Sequence, residues 1–351
     1  MDKPFLAKLR RIDPYVPGEQ PQSNDIIKLN ANENPYPPAP GVQETLRTFD
    51  ASRLALYPDA NGKALKNALA NRFGVKPTQV FLGNGSDDVL ALAFQSFFCS
   101  GEPILYPDIT YSFYPVWCDL FRIPYETVPL DEAFCVNVRD YDKPNGGIVL
   151  PNPNAPTGRG LSLDLLEDLL QHNADCVVII DEAYVDFGAQ SAVPLIEKYE
   201  NLLVVQTMSK SRSLAGLRIG YALGSEMLIA TLEAVKNSYN SYTMDALALA
   251  AGEAAVADET YFQETCQKVI ATRERTADAL RALGFTLQPS LTNFLFVTHP
   301  NKKASEIFEY LRQKNIFIRY FNLPRIDNYL RITIGTDEQM DRMIDALRTF
   351  L

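Results

Sequence analysis

The sequence predicts an α/β protein: a large three-layer α/β/α domain on a mainly parallel sheet, a smaller α+β domain after it, and an extended arm before it. Through the middle of the chain, short apolar runs at 80–82, 104–106, 148–150, 176–180 and 202–205 alternate with helical stretches. Runs apolar at successive positions suit strands covered by helices on both faces, and strand–helix alternation calls for parallel pairing. After about residue 250 the order becomes helix, strand, helix and two further strands, as in a compact α+β unit.

The elements follow in order. Residues 30–40, NANENPYPPAP, hold too much Pro and Asn for a regular helix or central strand, so the first segment reads as an arm lying on something else. Its span is 1–44, with 45–250 as the large domain and 251–351 as the small one. The run at 80–82 breaks at Gly83-Asn84-Gly85, and a helix begins near Asp87 with Val89, Leu90 and Ala93 inward. Ser162 is the N-cap of a helix over 162–171, whose leucines at 163, 166, 169 and 170 form one face. In the last third the pattern predicts a helix over 258–283, a strand at 293–298 and a helix at 303–314. Strands at 316–320 and 329–334 and a helix at 337–350 complete it.

Bulk properties exclude several function classes. A net charge of -10 on 351 residues argues against nucleic-acid or anionic-membrane binding, which need a basic surface. No apolar run approaches the length of a membrane span, and none near the amino terminus suits a secretion signal. Five scattered cysteines without metal or redox spacing fit a reducing, cytoplasmic setting. Two histidines leave no histidine-rich metal site.

The chemistry concentrates in two segments. Thr207-Met208-Ser209-Lys210 follows an apolar run, so Lys210 stands just past a strand's carboxyl end, where such sheets bind ligands. Hydroxyls at Thr207 and Ser209 with the guanidinium of Arg218 make an oxyanion cradle beside an amine, an arrangement suited to a Schiff base with a phosphorylated aldehyde. A lysine in a serine-rich surface loop is the plainer alternative. Upstream, the run 176–180 ends in Asp181-Glu182-Ala183-Tyr184. A carboxylate at the end of a buried strand needs a cationic partner, which a pyridinium nitrogen supplies, while Tyr184 is placed to hydrogen-bond a ring oxygen. An N-cap or salt-bridge role for Asp181 is equally open on its own. The turn before Ser86 and Asp87 offers helix N-terminal amides to a phosphate, and Tyr111 can stack on a flat ring.

Taken together, GNGSDD, PNAPTG, DEAY and TMSKSRSLAGLRIGYALG, in this order, resemble the fold-type I aminotransferases along essentially the whole chain. Within that superfamily RIDPYVPGE, LNANENPYPP, LYPDANGKALKNALA and NYLRITIGT are most similar to the histidinol-phosphate aminotransferase family. The resemblance implies pyridoxal 5'-phosphate as cofactor, held covalently by Lys210, which would also shuttle the substrate proton. Ser86, the Asp87 amide, Thr207, Ser209 and Arg218 would bind its phosphate, Tyr111 would stack on its ring, and Asp181 and Tyr184 would set its electronics. A homodimer with shared active sites is implied, Tyr57 completing the phosphate site and Tyr15 closing over the substrate, each from the neighbouring subunit. Arg331, helped by Arg319, would bind the anionic group of a phosphorylated amine or a 2-oxo acid. The implied reaction transfers an amino group from L-histidinol phosphate to 2-oxoglutarate in histidine biosynthesis. Alternatives are an aromatic-amino-acid transaminase or a lyase resembling threonine-phosphate decarboxylase. One departure stands out: Ala155 occupies the position where many relatives carry an asparagine, and Asn154 is taken as the residue that reaches the ring instead.

Overall fold

The computed structural model describes residues 3–16, 18–21 and 25–351. Its centre is a seven-stranded sheet in the order Val80–Asn84, Ile219–Gly224, Leu202–Thr207, Val178–Asp181, Gly147–Pro151, Ile104–Pro107, Tyr125–Val128. Only Ile219–Gly224 runs antiparallel to its neighbours. Successive side chains of a strand point to opposite faces, and both faces here are covered. Ile148, Leu150, Val178, Ile180, Leu202 and Val204 pack with Leu69, Leu166 and Ala251 on one side. Val149, Ile179, Leu203 and Val205 pack with Phe94 and Trp117 on the other. That double burial is why the strands read as unbroken apolar runs.

A second, four-stranded antiparallel sheet has the order Arg319–Tyr320, Leu330–Thr333, Phe294–Thr298, Thr286–Leu287. The helices Glu259–Ala282, Ala304–Gln313 and Asp337–Phe350 cover it and share its core. The arm joins this unit, since Ile27–Lys28 pairs in parallel with Ile316–Phe317. The single strand expected at 316–320 is therefore two short ones, because the chain changes partner across the buried Ile318, and Arg319 pairs with Arg331. Helix Leu163–His172 begins at the expected cap, the Ser162 hydroxyl accepting from the Leu165 amide at 3.4 Å. The helices Glu226–Tyr239 and Ala246–Ala257 and the strands Tyr125–Val128 and Ile219–Gly224 were not anticipated.

The parallel strands deliver their carboxyl ends to one side, which brings Asp181, the loop holding Lys210 and the loop at 108–111 together. At the far strand the backbones approach closely. Gly85 holds φ +85°, and a Cβ on Gly220 would lie 2.2 Å from the Gly85 carbonyl carbon and 2.3 Å from the Ser86 nitrogen. Gly220→Ala therefore displaces the start of helix Ser86–Phe97 and costs about 1–3 kcal/mol of stability. Urea denaturation measures this; an unchanged midpoint contradicts the contact.

Candidate active site

A cavity of about 250 Å³ opens where the strand ends meet the small sheet and the arm. One end is a cup for an oxyanion. Helix Ser86–Phe97 points its first amides into it, and Ser86, Asp87, Thr207, Ser209 and Arg218 all line it. The Ser209 amide donates to the Thr207 hydroxyl at 3.1 Å, fixing the turn before Lys210. Arg218 lies against Gly85, where a Cβ would come within 2.5 Å of its Nη2, so glycine lets the guanidinium reach the helix start. Asp87 contributes more than its amide: its carboxylate pairs with Arg218 at 3.0 Å and accepts from the Tyr111 hydroxyl at 2.8 Å. One residue thus orients both a phosphate-binding cation and a ring-stacking aromatic.

Asp181 forms the floor. It is buried, accepts from the Tyr114 hydroxyl at 2.9 Å and from the Ala183 amide at 3.2 Å, and takes part in no ion pair among the described residues. Desolvation pushes its carboxyl up to about 6, against the opposing pull of those hydrogen bonds. Lys210 donates from Nζ to the Ala31 carbonyl at 3.3 Å and stands 5.8 Å from the centre of the Tyr184 ring. The Tyr184 oxygen accepts from Asn32 Nδ2 at 2.9 Å, which leaves the phenolic hydrogen free to donate.

The opposite end carries two arginines side by side, Arg319 and Arg331, neither of them in an ion pair among the described residues. Arg331 gives Nη2 to the Asn30 carbonyl at 3.0 Å, while its buried Nε has no partner. Burial, and then the positive charge of Arg319, lower its proton affinity below the ordinary arginine value. Phe321 lies against both guanidinium groups, its ring centre 5.8 Å from Cζ of Arg319 and 5.7 Å from Cζ of Arg331. Uncompensated, desolvated cations of this kind attract an anion strongly.

Twelve of the fourteen residues singled out from sequence line this cavity: Tyr15, Ser86, Asp87, Tyr111, Asp181, Tyr184, Thr207, Ser209, Lys210, Arg218, Arg319 and Arg331. Two expectations change. Asn154 does not line the cavity. Its Nδ2 is spent on the Ile109 carbonyl at 2.9 Å and the Thr157 hydroxyl at 3.0 Å, and its Oδ1 accepts from Thr110 at 3.1 Å, so it braces the loop leading to Tyr111. Tyr15 lines the cavity of its own chain, where it stacks on Phe113 at 4.3 Å, while nearby Glu19 accepts through its carbonyl from Asn30 at 2.8 Å. Tyr57, expected in the neighbouring subunit's site, lies away from its own cavity, 81% exposed and stacked on Tyr242 at 4.5 Å. Sequence reasoning overlooked Tyr114, Asn32 and Asn34, the last donating to the Lys210 and Ser211 carbonyls at 3.0 and 3.2 Å. Both asparagines stand in the NANEN run, in which Asn30 and Asn32 are buried.

Comparison with known proteins identifies the family. Residues 24–347 match the family described as aminotransferase class I and II, to which the chain belongs. Within that class it falls among the histidinol-phosphate aminotransferases. It is 55% identical over 347 residues to the protein of that name from Acinetobacter baumannii (strain SDF), covering 98% of this chain and 96% of that one. It is 54% identical over 352 residues to histidinol-phosphate aminotransferase 2 of Dechloromonas aromatica, covering 99% of each. The crystal structure of the Sinorhizobium meliloti histidinol-phosphate aminotransferase in complex with pyridoxal-5'-phosphate superposes with a TM-score of 0.84 at 27% identity, over 93% of this chain and 92% of that one.

The burial of Asp181 has a measurable cost. Its folded value near 6 lies above the ordinary 3.8, so the folded state binds more protons than the unfolded one between those values. Stability from this group is present at low pH and is lost as pH rises through about 6. Asp181→Asn therefore stabilises the cofactor-free protein at pH 8 by about 1–3 kcal/mol and leaves it near-neutral at pH 4. Chemical denaturation at the two pH values tests it; equal shifts at both contradict the assignment.

Proposed function

We propose that this protein is a pyridoxal-phosphate-dependent transaminase that converts L-histidinol phosphate and 2-oxoglutarate to imidazole acetol phosphate and L-glutamate, a step of histidine biosynthesis. The observation that carries this reading is a buried Asp181 facing a cavity that has Lys210 in its wall, an oxyanion cup at one end and two arginines at the other, with neither Asp181 nor the arginines in an ion pair among the described residues. The residues fit the cofactor. A pyridinium nitrogen gives Asp181 the positive partner that its burial demands, and the cup of hydroxyls, helix amides and Arg218 matches a phosphate. When bound, pyridoxal 5'-phosphate supplies an electron sink for the pair left at the substrate carbon when its proton departs.

The chain's own groups do the rest. Asp181, whose ionised form is favoured by hydrogen bonds from Tyr114 and the Ala183 amide, would keep the ring nitrogen protonated. Tyr184, its oxygen already engaged by Asn32, directs its hydrogen toward the ring oxygen. Lys210 would hold the cofactor covalently, and its Nζ, once freed when the substrate amine takes its place, would remove and return the proton at the substrate carbon. Tyr111, aligned by Asp87, covers the ring and helps to exclude water. Arg331 and Arg319 grip the phosphate of histidinol phosphate in one half-reaction and a carboxylate of glutamate in the other, since a guanidinium fork suits either oxyanion. Tyr15 closes the substrate end.

The working unit in this reading is a homodimer. Tyr57 is 81% exposed beside Leu56 at 74% and Leu54 at 55%, an apolar strip available to a second copy whose phosphate cup Tyr57 then completes. The five free cysteines suit a reducing cytoplasm, and among the described residues no helix is long and apolar enough to cross a membrane.

Titration of the cofactor-loaded protein with L-histidinol phosphate, L-glutamate and L-phenylalanine tests the function. The first two convert the absorption band of the lysine-bound cofactor at the lowest concentrations. Preferential conversion by phenylalanine, or release of carbon dioxide without dependence on 2-oxoglutarate, overturns the reading. Lys210→Ala removes both that band and all turnover. Asp181→Ala still binds cofactor but turns over slower by on the order of 10²–10⁴-fold; near-normal turnover sinks the pyridinium role.

A further inference from the structure

The wall that presents Arg319, Arg331 and Phe321 belongs to the small sheet, whereas Tyr111 and the cofactor cup belong to the large one. One side chain ties the two together. Arg325 lies in the turn that follows Phe321, with φ +67°, and its guanidinium crosses to the large domain. There it pairs with Asp108 at 2.6 Å and donates to the carbonyls of Leu130 at 2.8 Å and Asp131 at 3.1 Å. Asp108 is well placed to receive it, because its other oxygen accepts from the Leu130 amide at 2.9 Å. The next residue, Ile326, is buried among Ile109, Leu130, Phe134 and Phe296. The turn is thus plugged into the large domain by an apolar side chain and clamped there by three polar contacts.

We propose that Arg325 is a positioning residue for the anion-binding end of the cavity; this rests on the transaminase reading above only for the identity of the anion. Arg319 and Arg331 are like charges placed opposite each other on neighbouring strands, with no carboxylate paired to either among the described residues. The ring of Phe321 is within cation–π reach of both. Its place is set at its own strand end and, four residues on, by the Arg325 clamp. Because Asp108 begins the loop that carries Tyr111, the same clamp sets the separation between the anion grip and the ring-stacking wall. A preorganised pair of cations binds its anion without first having to be ordered.

The test combines kinetics with a binding measurement that needs no turnover. Arg325→Ala raises KM for histidinol phosphate by about tenfold with kcat within about threefold of wild type. In parallel it weakens inorganic phosphate, as competitive inhibitor and in calorimetric titration of the holoenzyme, by about tenfold, the factor for one polar contact's worth of ordering. Arg325→Lys recovers part of the loss, since an ammonium reaches Asp108 but cannot span both carbonyls. Asp108→Asn, which keeps the Leu130 contact but removes the charge, shows a smaller loss of the same kind. Unchanged KM and phosphate affinity in these variants, with only a lowered denaturation midpoint or lowered kcat, overturns the proposal. Should wild type fail to transaminate histidinol phosphate, the functional reading falls, while the phosphate titrations still decide the role of Arg325.

Discussion

The structure turns on a carboxylate held away from water. Asp181 ends a central parallel strand at a point where helices cover both faces, so its charge is largely withdrawn from water, and among the described residues no ion pair compensates it. The surroundings offset part of that cost with a phenol and one backbone amide. The remainder is a standing demand for a positive ring atom. The neighbouring strand ends are arranged around that demand: Lys210 on one side, Tyr184 held by Asn32 on another, and Tyr111 aligned by Asp87 above.

The two ends of the cavity treat positive charge differently. Arg218 comes with its own counter-charge in Asp87 and remains half exposed, a moderate and steady attraction suited to a group that stays bound. Arg331 is largely withdrawn from water, its Nε lacks a partner among the described residues and its neighbour is another arginine. A site of that kind binds whatever oxyanion enters, phosphate or carboxylate, yet depends on neighbouring neutral groups such as Phe321 and the Asn30 carbonyl to keep its geometry. The net charge of -10 conceals this inward-facing cationic grip.

Much of this was legible from sequence. Strands buried on both faces announce themselves by unbroken apolar runs, and side chains at their carboxyl ends are natural ligand contacts, which is why Asp181, Lys210 and the cup residues could be named in advance. Other features depend on what a residue meets in three dimensions. Helix Ala246–Ala257 is apolar on all sides and so has no helical period to read. Tyr114 sits in an aromatic-rich helix and looks like core until its hydroxyl is seen against Asp181. The split at Ile318 is invisible because the apolar run continues through it. Asn154 was assigned to the ring by its place in the motif, but its amide is taken by loop carbonyl and hydroxyl groups that only the fold brings near. Tyr15 depends on where an arm settles, and no local pattern encodes that.

The lone antiparallel strand, Ile219–Gly224, has a consequence for how the molecule assembles. It forms a hairpin-like pair with Leu202–Thr207, so Lys210 and Arg218 lie within one local unit that needs little chain closure. Its other edge pairs with Val80–Asn84, far earlier in the chain. Closing so distant a loop is slow and entropically costly. The half of the cup built on Ser86 and Asp87 therefore meets the half built on Arg218 late in folding, after the central strands have been synthesised and paired. Cofactor arriving at that stage acts as a folding ligand, drawing the sheet edge shut by mass action.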